Sequence, residues 1–370
     1  MSRCVCACPV MDGWMTTAVR RARGMSTLGR TLARRAVSSF ASSSTDVTIG
    51  TFARAALTFA RDDSIAVTAA PSPTSSALTL SWTYGELLDR VDAFARALRD
   101  LGYAPSSAPL GVRGRNGADV LVAYLGTATA ATNARSATTS EDVRTAFGSG
   151  RTRGTFVAYA DAEACGSIVG AHEPIAFDGG GIRDKVILAE VLREAYRRRG
   201  DEDDAEVIGF HASQDAGYYF GGSETVTPGA ALVRCARRAA EALDVGATDA
   251  TCVPVPLGHA MGFAFGALAT LARGGRVVLP STIGSAADGA SARDAMCAAA
   301  LDAIESEACT LVVADSHLTK AAAATATPTK ASLRGGLIKV GSGDAFGASE
   351  PVKFWGAELL TVGTPKKKSD

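Results

Sequence analysis

The stretch YYFGGSETVTPGA, Tyr218 to Ala230, holds the residues best placed to do chemistry. Tyr218, Tyr219 and Phe220 read as the end of a strand, Gly221 and Gly222 permit close backbone approach, and a helix begins near Gly229. Ser223 and Thr225 add hydroxyls. A glycine-bearing loop between strand and helix can hold phosphate through backbone N–H groups and the helix dipole. This one also carries an acid, Glu224, and no lysine, and the Gly-Lys-Ser/Thr of a Walker loop is absent. A plain strand-to-helix turn has the same outline, so the loop alone leaves both options open.

The remaining candidates are single features. His259 in PVPLGHAMGF follows a strand and precedes an apolar helix, where a histidine serves either as a base or as a core residue. Gly341, Ser342 and Gly343 stand at a strand end, but Gly347 falls one residue late for a dinucleotide G-x-G-x-x-G. Asp315, Ser316 and His317 place three triad types side by side. A triad is assembled in space, however, and G-x-S-x-G is missing. Cys4, Cys6 and Cys8 lack partners at metal-ligand spacing, and DEDDAE reads as a solvated acidic loop. These residues define no metal site and no catalytic side chain.

Elements that could position the candidates are well marked. Thr83 and Glu86 form a capping box, and Trp82 and Leu87 occupy the positions of a hydrophobic staple. Leu87, Val91, Phe94, Leu98 and Leu101 recur at helical spacing, and Gly102 supplies the stop. Leu78, Leu80 and Trp82 alternate as in a strand. PLGVRGRNGADVLVAYLGTATAAT reads as strand, turn and helix, GTFVAYA as a strand, and DKVILAEVLREAYRRRG as an amphipathic helix. From Val207 onward the apolar runs VIGF, GYYF, TCVPV, RVVLP, CTLVVA and GLIKVG alternate with alanine-rich helical stretches. Such alternation predicts an α/β fold of mostly parallel sheets covered by helices. Residues 46–205 and 206–363 are expected to form two α/β subdomains, with the glycine loop in the second and a basic tail at 364–370.

Composition narrows the partners. A formal net charge of zero and the lack of a basic stripe argue against nucleic acid. The longest weakly charged run, Val253 to Ala272, is interrupted by prolines and suits a buried helix better than a transmembrane segment. Cys165, Cys235, Cys252, Cys297 and Cys309 are scattered in apolar surroundings and read as free buried thiols. In residues 1–45, Arg3, Arg20, Arg21, Arg23, Arg30, Arg34 and Arg35 face the single acid Asp12, beside the serine cluster SSFASSS. That is the pattern of a transit peptide, with a mitochondrial destination first and a plastid second, or of a basic leader that targets nothing.

Taken in order, TYGELLDRVDAFARALRDLG, GVRGRNGADVLVAYLGTATAAT, YYFGGSETVTPGAALVRCARRAAEAL, VPVPLGHAMGFAFGALATLARGGRVVLPS and SLRGGLIKVGSG resemble the acyl-adenylate-forming (AMP-binding) synthetases, acyl-CoA synthetases above all. The resemblance runs colinearly over roughly residues 50 to 345. It implies the large N-terminal part of such an enzyme without the C-terminal lid domain. It further implies ATP and magnesium as cofactors, CoA as acceptor, and a carboxylic or fatty acid as substrate. Gly221, Gly222, Ser223, Thr225 and Gly229 would face the nucleotide, and His259, Gly262, Gly341, Ser342 and Gly343 the acyl group.

The departures are specific. The family loop reads Ser/Thr-Gly-Thr-Thr-Gly-x-Pro-Lys-Gly. Aligned without gaps, this chain keeps Gly222 and Gly229, has Ser223 for the first Thr and Glu224 for the second. Thr225 replaces a glycine, Thr227 the proline, and Pro228 the lysine. A unit-charge pair at about 4 Å and an effective dielectric near 20 is worth about 4 kcal/mol. Losing the lysine's attraction and gaining a repulsion at Glu224 would therefore weaken ATP binding by orders of magnitude. The family's Tyr-Gly-x-Thr-Glu motif, ribose-binding aspartate and catalytic lysine are not found after Gly343. Two expectations follow from the resemblance: a truncated or weakly active acyl-CoA synthetase, or a pseudoenzyme that binds an acyl group, a nucleotide or a partner protein.

Overall fold

The computed structural model describes residues 47–71, 79–100, 102–103, 109–112, 116–136, 157–158, 175–176, 214–221, 223–281, 289–325, 328 and 332–364. In chain order the helices are α1 (Ile49–Phe59), α2 (Tyr84–Asp100), α3 (Ala118–Thr129) and α4 (Gly229–Ala242). They continue with α5, which is π-helical over Met261–Leu268 and α-helical over Ala269–Leu271, then α6 (Gly289–Ser306) and α7 (Ser316–Ala323). The strands are β1 (Ile65–Pro71), β2 (Leu80–Thr83), β3 (Leu110–Val112), β4 (Ala134–Ser136), β5 (Val157–Ala158), β6 (Ile175–Ala176), β7 (Gly217–Tyr219) and β8 (Thr227–Pro228). They end with β9 (Ala250–Cys252), β10 (Arg276–Ser281), β11 (Leu311–Ala314), β12 (Gly335–Lys339), β13 (Ser342–Phe346), β14 (Val352–Phe354) and β15 (Ala357–Thr364). The leader, the amphipathic helix from Asp184, the acidic loop behind it and the basic tail beyond Thr364 lie outside the described residues, and Thr364 itself ends β15.

Two sheets result. The larger runs β13-β15-β12-β11-β9-β10-β1-β2, with β14 also on β15. Its centre from β1 to β15 is parallel, and β2, β13 and β14 add antiparallel edges. The smaller runs β6-β5-β3-β4-β7-β8, parallel except for the β7–β8 hairpin at one edge. Helices cover both faces of the larger sheet, as an all-parallel centre requires. Along β11 the alternation is direct. Val312 joins a core cluster with Ala300, Ala303 and Ile304 of α6 and Leu318 of α7. Val313, its neighbour, faces the other way toward Gly266 of α5.

Local signals act as their residue types dictate. The Thr83 N–H donates to Glu86 Oε2 at 2.9 Å, and the Glu86 N–H donates to Thr83 Oγ1 at 3.2 Å. Trp82 and Leu87 are buried beside them, and Gly102 closes α2 at φ +80°. Leu80 of the expected alternation is exposed, because it lies at the outer end of an edge strand. Asp315 is an N-cap, accepting from the N–H groups of His317 and Leu318 at 2.9 and 2.8 Å. Among the described residues Cys235, Cys252, Cys297 and Cys309 are free thiols; burial pushes the pKa of Cys235, Cys252 and Cys297 up.

Candidate functional site

The glycine loop is the tip of the β7–β8 hairpin, placed between the edge of the smaller sheet and the start of α4. β7 is parallel to β4, which sets Arg135 beside Tyr219. Gly221 has φ +56°, a conformation that favours glycine. Its N–H donates to Ser136 Oγ at 2.9 Å. Ser223 and Thr225 are exposed and bonded to each other, with the Thr225 N–H on Ser223 Oγ at 3.0 Å. The Ser223 N–H donates back to the Phe220 carbonyl at 3.0 Å. Gly222 lies outside the described residues.

The start of α4 is also engaged. Gly229 is buried, and its N–H donates to the Ala216 carbonyl at 2.8 Å. Asp215 accepts from the Ala230 N–H at 3.1 Å and from the Ile49 N–H of α1 at 3.4 Å. One carboxylate thus answers the dipoles of two helices. A Cβ on Gly229 would collide with Asp215 and Ile49, so only glycine fits there. In this arrangement the N–H groups of Gly221, Ser223, Thr225, Gly229 and Ala230 all end on protein acceptors. Among the described residues no group of three His, Cys, Asp or Glu side chains could hold a metal ion. To receive a polyphosphate, the loop would have to release these N–H groups from their present acceptors.

Arg135 is the side chain that sequence reasoning missed. It is 6% exposed, and its guanidinium carbon lies 4.2 Å from the Tyr219 ring centroid. Nη1 donates to the Ser223 carbonyl at 3.3 Å and stands 3.6 Å from Glu224 Oε1. Glu224 is thus half of an ion pair and not an unneutralised charge, which removes the simple repulsion argument made from its position in the loop. Its own side chain is 58% exposed, so screening limits the pair to at most about 1 kcal/mol.

The acyl-side candidates cluster around the entry to α5. Asn116, 3% exposed, shares its two Nδ2 hydrogens among the carbonyls of Val253, Pro254 and Val255 at 2.9, 3.1 and 3.2 Å. Its Oδ1 accepts from the Leu257 N–H at 3.0 Å. This clamp fixes the turn that presents His259. His259 Nδ1 accepts the Met261 N–H at 3.1 Å, which fixes the neutral tautomer as Nε2–H. Burial, and then the charge of Lys339, lowers its pKa and favours that neutral form. Gly262 lies where a Cβ would strike the carbonyls of Val255 and Pro256. The π-helical winding that follows is a rare geometry often found at functional sites.

Gly341 lies in the turn between β12 and β13, and Ser342 and Gly343 open β13, with Gly343 at φ +81°. Lys339 Nζ donates to the Gly343 carbonyl at 2.5 Å. The following strand is tied to α4 by Arg238 Nη1 and Asp344 Oδ2 at 2.9 Å, and to α5 by Phe346 against Phe265 at 5.7 Å. Lys339 links this turn electrostatically to His259. Ser136 links the other two segments: it holds Gly221, and a Cβ on Gly258 would come within 3.0 Å of its own Cβ. Tyr124, Tyr218 and Phe263 form an aromatic cluster behind these segments, with centroids 5.3 to 6.2 Å apart.

No protein-family profile and no curated protein matches the sequence. Solved structures do. A benzoate CoA ligase from Burkholderia xenovorans LB400 is similar over 84% of this chain and 60% of its own, at 17% identity and a TM-score of 0.60. The N-terminal domain of FACL13 from Mycobacterium tuberculosis is similar over 85% of this chain and 75% of its own, at 15% identity and a TM-score of 0.58. An anthranilate CoA ligase, AuaEII, in complex with anthranoyl-AMP, is similar over 84% and 58%, at 13% identity and a TM-score of 0.59. The chain spans less than two thirds of the benzoate and anthranilate enzymes. Identities this low carry the fold alone. That fold, mixed and mostly parallel sheets covered by helices, is the one found in acyl- and aryl-CoA ligases.

Proposed function

We propose that the protein binds a carboxylic acid or its acyl-adenylate in a site of the acyl-CoA ligase type, without rapid adenylation of its own. The observation that carries this is the state of the glycine loop. The N–H groups of Gly221, Ser223, Thr225, Gly229 and Ala230 are answered by the protein, Pro228 stands at the lysine register, and Arg135 is paired with Glu224. Acyl-adenylate chemistry depends on preorganised positive groups where charge develops in the transition state. The turn that presents His259 is, by contrast, firmly built. Binding is thus better supported than turnover.

Thermal unfolding with Mg·ATP, a panel of aliphatic and aromatic acids, and non-hydrolysable acyl-AMP mimics tests the reading. A ligand at 100 times its Kd adds about 2.7 kcal/mol. Acyl-AMP mimics are expected to stabilise the protein and Mg·ATP alone to do so weakly. A cooperative melt unmoved by every ligand would sink the proposal and leave a partner protein as the remaining role. The rival reading, an AMP-forming acid–thiol ligase, is favoured by the fold shared with CoA ligases. Acid-dependent release of pyrophosphate, followed by a CoA thioester, would establish it. We also propose a mitochondrial address for the arginine-rich leader, with a plastid as the alternative. Fractionation of cells expressing the tagged full chain decides it.

A further inference from the structure

We infer that Glu224 is an internal occupant of an anion site centred on Arg135, and that a phosphate-bearing ligand enters by displacing it. The inference rests on the adenylate-type reading of this site and concerns its regulation. Arg135 comes from β4 and not from the loop, so the cation missing at Pro228 is supplied by the neighbouring strand. Its guanidinium is buried against the Tyr219 ring and points Nη1 at the loop backbone. Among the described residues its Nε is buried with no hydrogen-bond partner. A guanidinium has five N–H donors in a fixed fork, suited to two-point contact with carboxylate or phosphate.

The present occupant uses that capacity poorly. Glu224 reaches Nη1 at 3.6 Å, longer than a good charge-assisted hydrogen bond, while more than half of its side chain is in water. Such a carboxylate can swing into solvent and stay fully hydrated. A phosphate in its place offers more acceptors to the same fork. The exposed residues Gly221, Ser223, Glu224, Thr225 and Val226, with Gly221 in the left-handed region, give the loop room to move aside. Glu224 therefore holds the site closed until a more strongly charged anion competes for Arg135.

Titration calorimetry of the full chain with inorganic tripolyphosphate at fixed salt tests this. Glu224→Gln keeps the size of the side chain and removes its charge. It should bind tripolyphosphate at least about tenfold more tightly than the unaltered protein. Glu241→Gln, the same charge change at an exposed position on α4, should shift affinity by less than about twofold. Adding Arg135→Lys to Glu224→Gln should abolish most of the gain, since a point charge cannot reproduce the fork. Circular dichroism verifies the fold of each variant. Affinity in Glu224→Gln within about twofold of the unaltered protein would overturn the inference, as would an equal gain in Glu241→Gln. Binding of acyl-AMP mimics, measured on the same samples, separates the two ideas. Mimic binding without a Glu224→Gln gain ends the gating inference alone. A gain without mimic binding upholds the anion site and ends the adenylate reading.

Discussion

Two segments meet at Ser136 and are built in opposite ways. The turn from Val253 to Gly262 is held from below by one buried asparagine that answers three carbonyls and one N–H. The loop from Phe220 to Val226 has an exposed tip, bonds mostly to itself, and touches the body through Ser136 and Arg135. Stability scales with buried, satisfied contacts, so the first segment belongs to the cooperative core and the second can open locally. In this fold the rigid segment presents His259, and the yielding one carries the residues that would meet an anion. On the proposed reading the fixed segment would face the acyl group and the adjustable one the phosphate, as a binding site with an internal competitor requires.

The contrast breaks most severely at Asn116. Asn116→Ala strands several buried backbone groups at once, and a single unsatisfied group already costs about 1 to 3 kcal/mol. We expect a loss of about 3 kcal/mol in urea unfolding. A loss below about 1 kcal/mol would mean that water can replace the clamp and that the turn is not rigid in the sense argued. Gly262→Ala is next. Its Cβ would meet two backbone carbonyls that cannot rotate away, so about 2 kcal/mol is expected from overpacking. A neutral result would show that the π-helical entry yields easily.

What the sequence made legible follows from the range of the interactions. The Thr83–Glu86 box and the Gly102 stop involve residues a few positions apart, and a local pattern describes them fully. The Asp315 cap is just as local, but in the sequence Asp315 stands out only as a triad residue type. The strands β9 to β12 were visible as apolar runs because a sheet centre covered on both faces needs no polar alternation. The glycine loop was visible as a strand–loop–helix outline. Arg135 and Asn116 were not. Asn116 lies 137 residues before the Val253 carbonyl it meets, and Arg135 lies 88 before Ser223. Nothing in RNG or NARS marks such reach. The sheet plan was also hidden, since β1 joins β10, which follows it by about two hundred residues, and carries β2 with it as the sheet edge. The strands β13 to β15 were not anticipated, because the stretch after Gly343 was weighed only for family motifs and not for its own strand pattern. The charge of Glu224 was legible in the loop, but its neutralisation was not.

A milder change tests the junction itself. Ser136 Oγ accepts the Gly221 N–H and donates to the Tyr219 carbonyl at 3.2 Å. Ser136→Ala removes both bonds, at a global cost of about 1 kcal/mol. The informative readout is amide hydrogen exchange. Protection at Gly221 should fall markedly while the Leu257 amide, held by Asn116, is unchanged. Equal loss at both positions would show that the two segments form a single cooperative unit and would remove the contrast.

The smallest effect on stability is expected where the effect on binding is expected to be largest. Glu224→Gln removes the charge of a side chain that is mostly in water, and exposed ion pairs contribute between nothing and about 1 kcal/mol. Its partner is a buried guanidinium, and a buried cation left without its acid should cost more than that. The two considerations oppose each other, and the exposure of Glu224 decides between them, because water that reaches the carboxylate also reaches the face of Arg135 it covers. Unfolding free energy should therefore change by less than about 0.5 kcal/mol. A loss above about 2 kcal/mol would identify the Arg135–Glu224 pair as part of the core, and the loop could then no longer be the yielding half of the site.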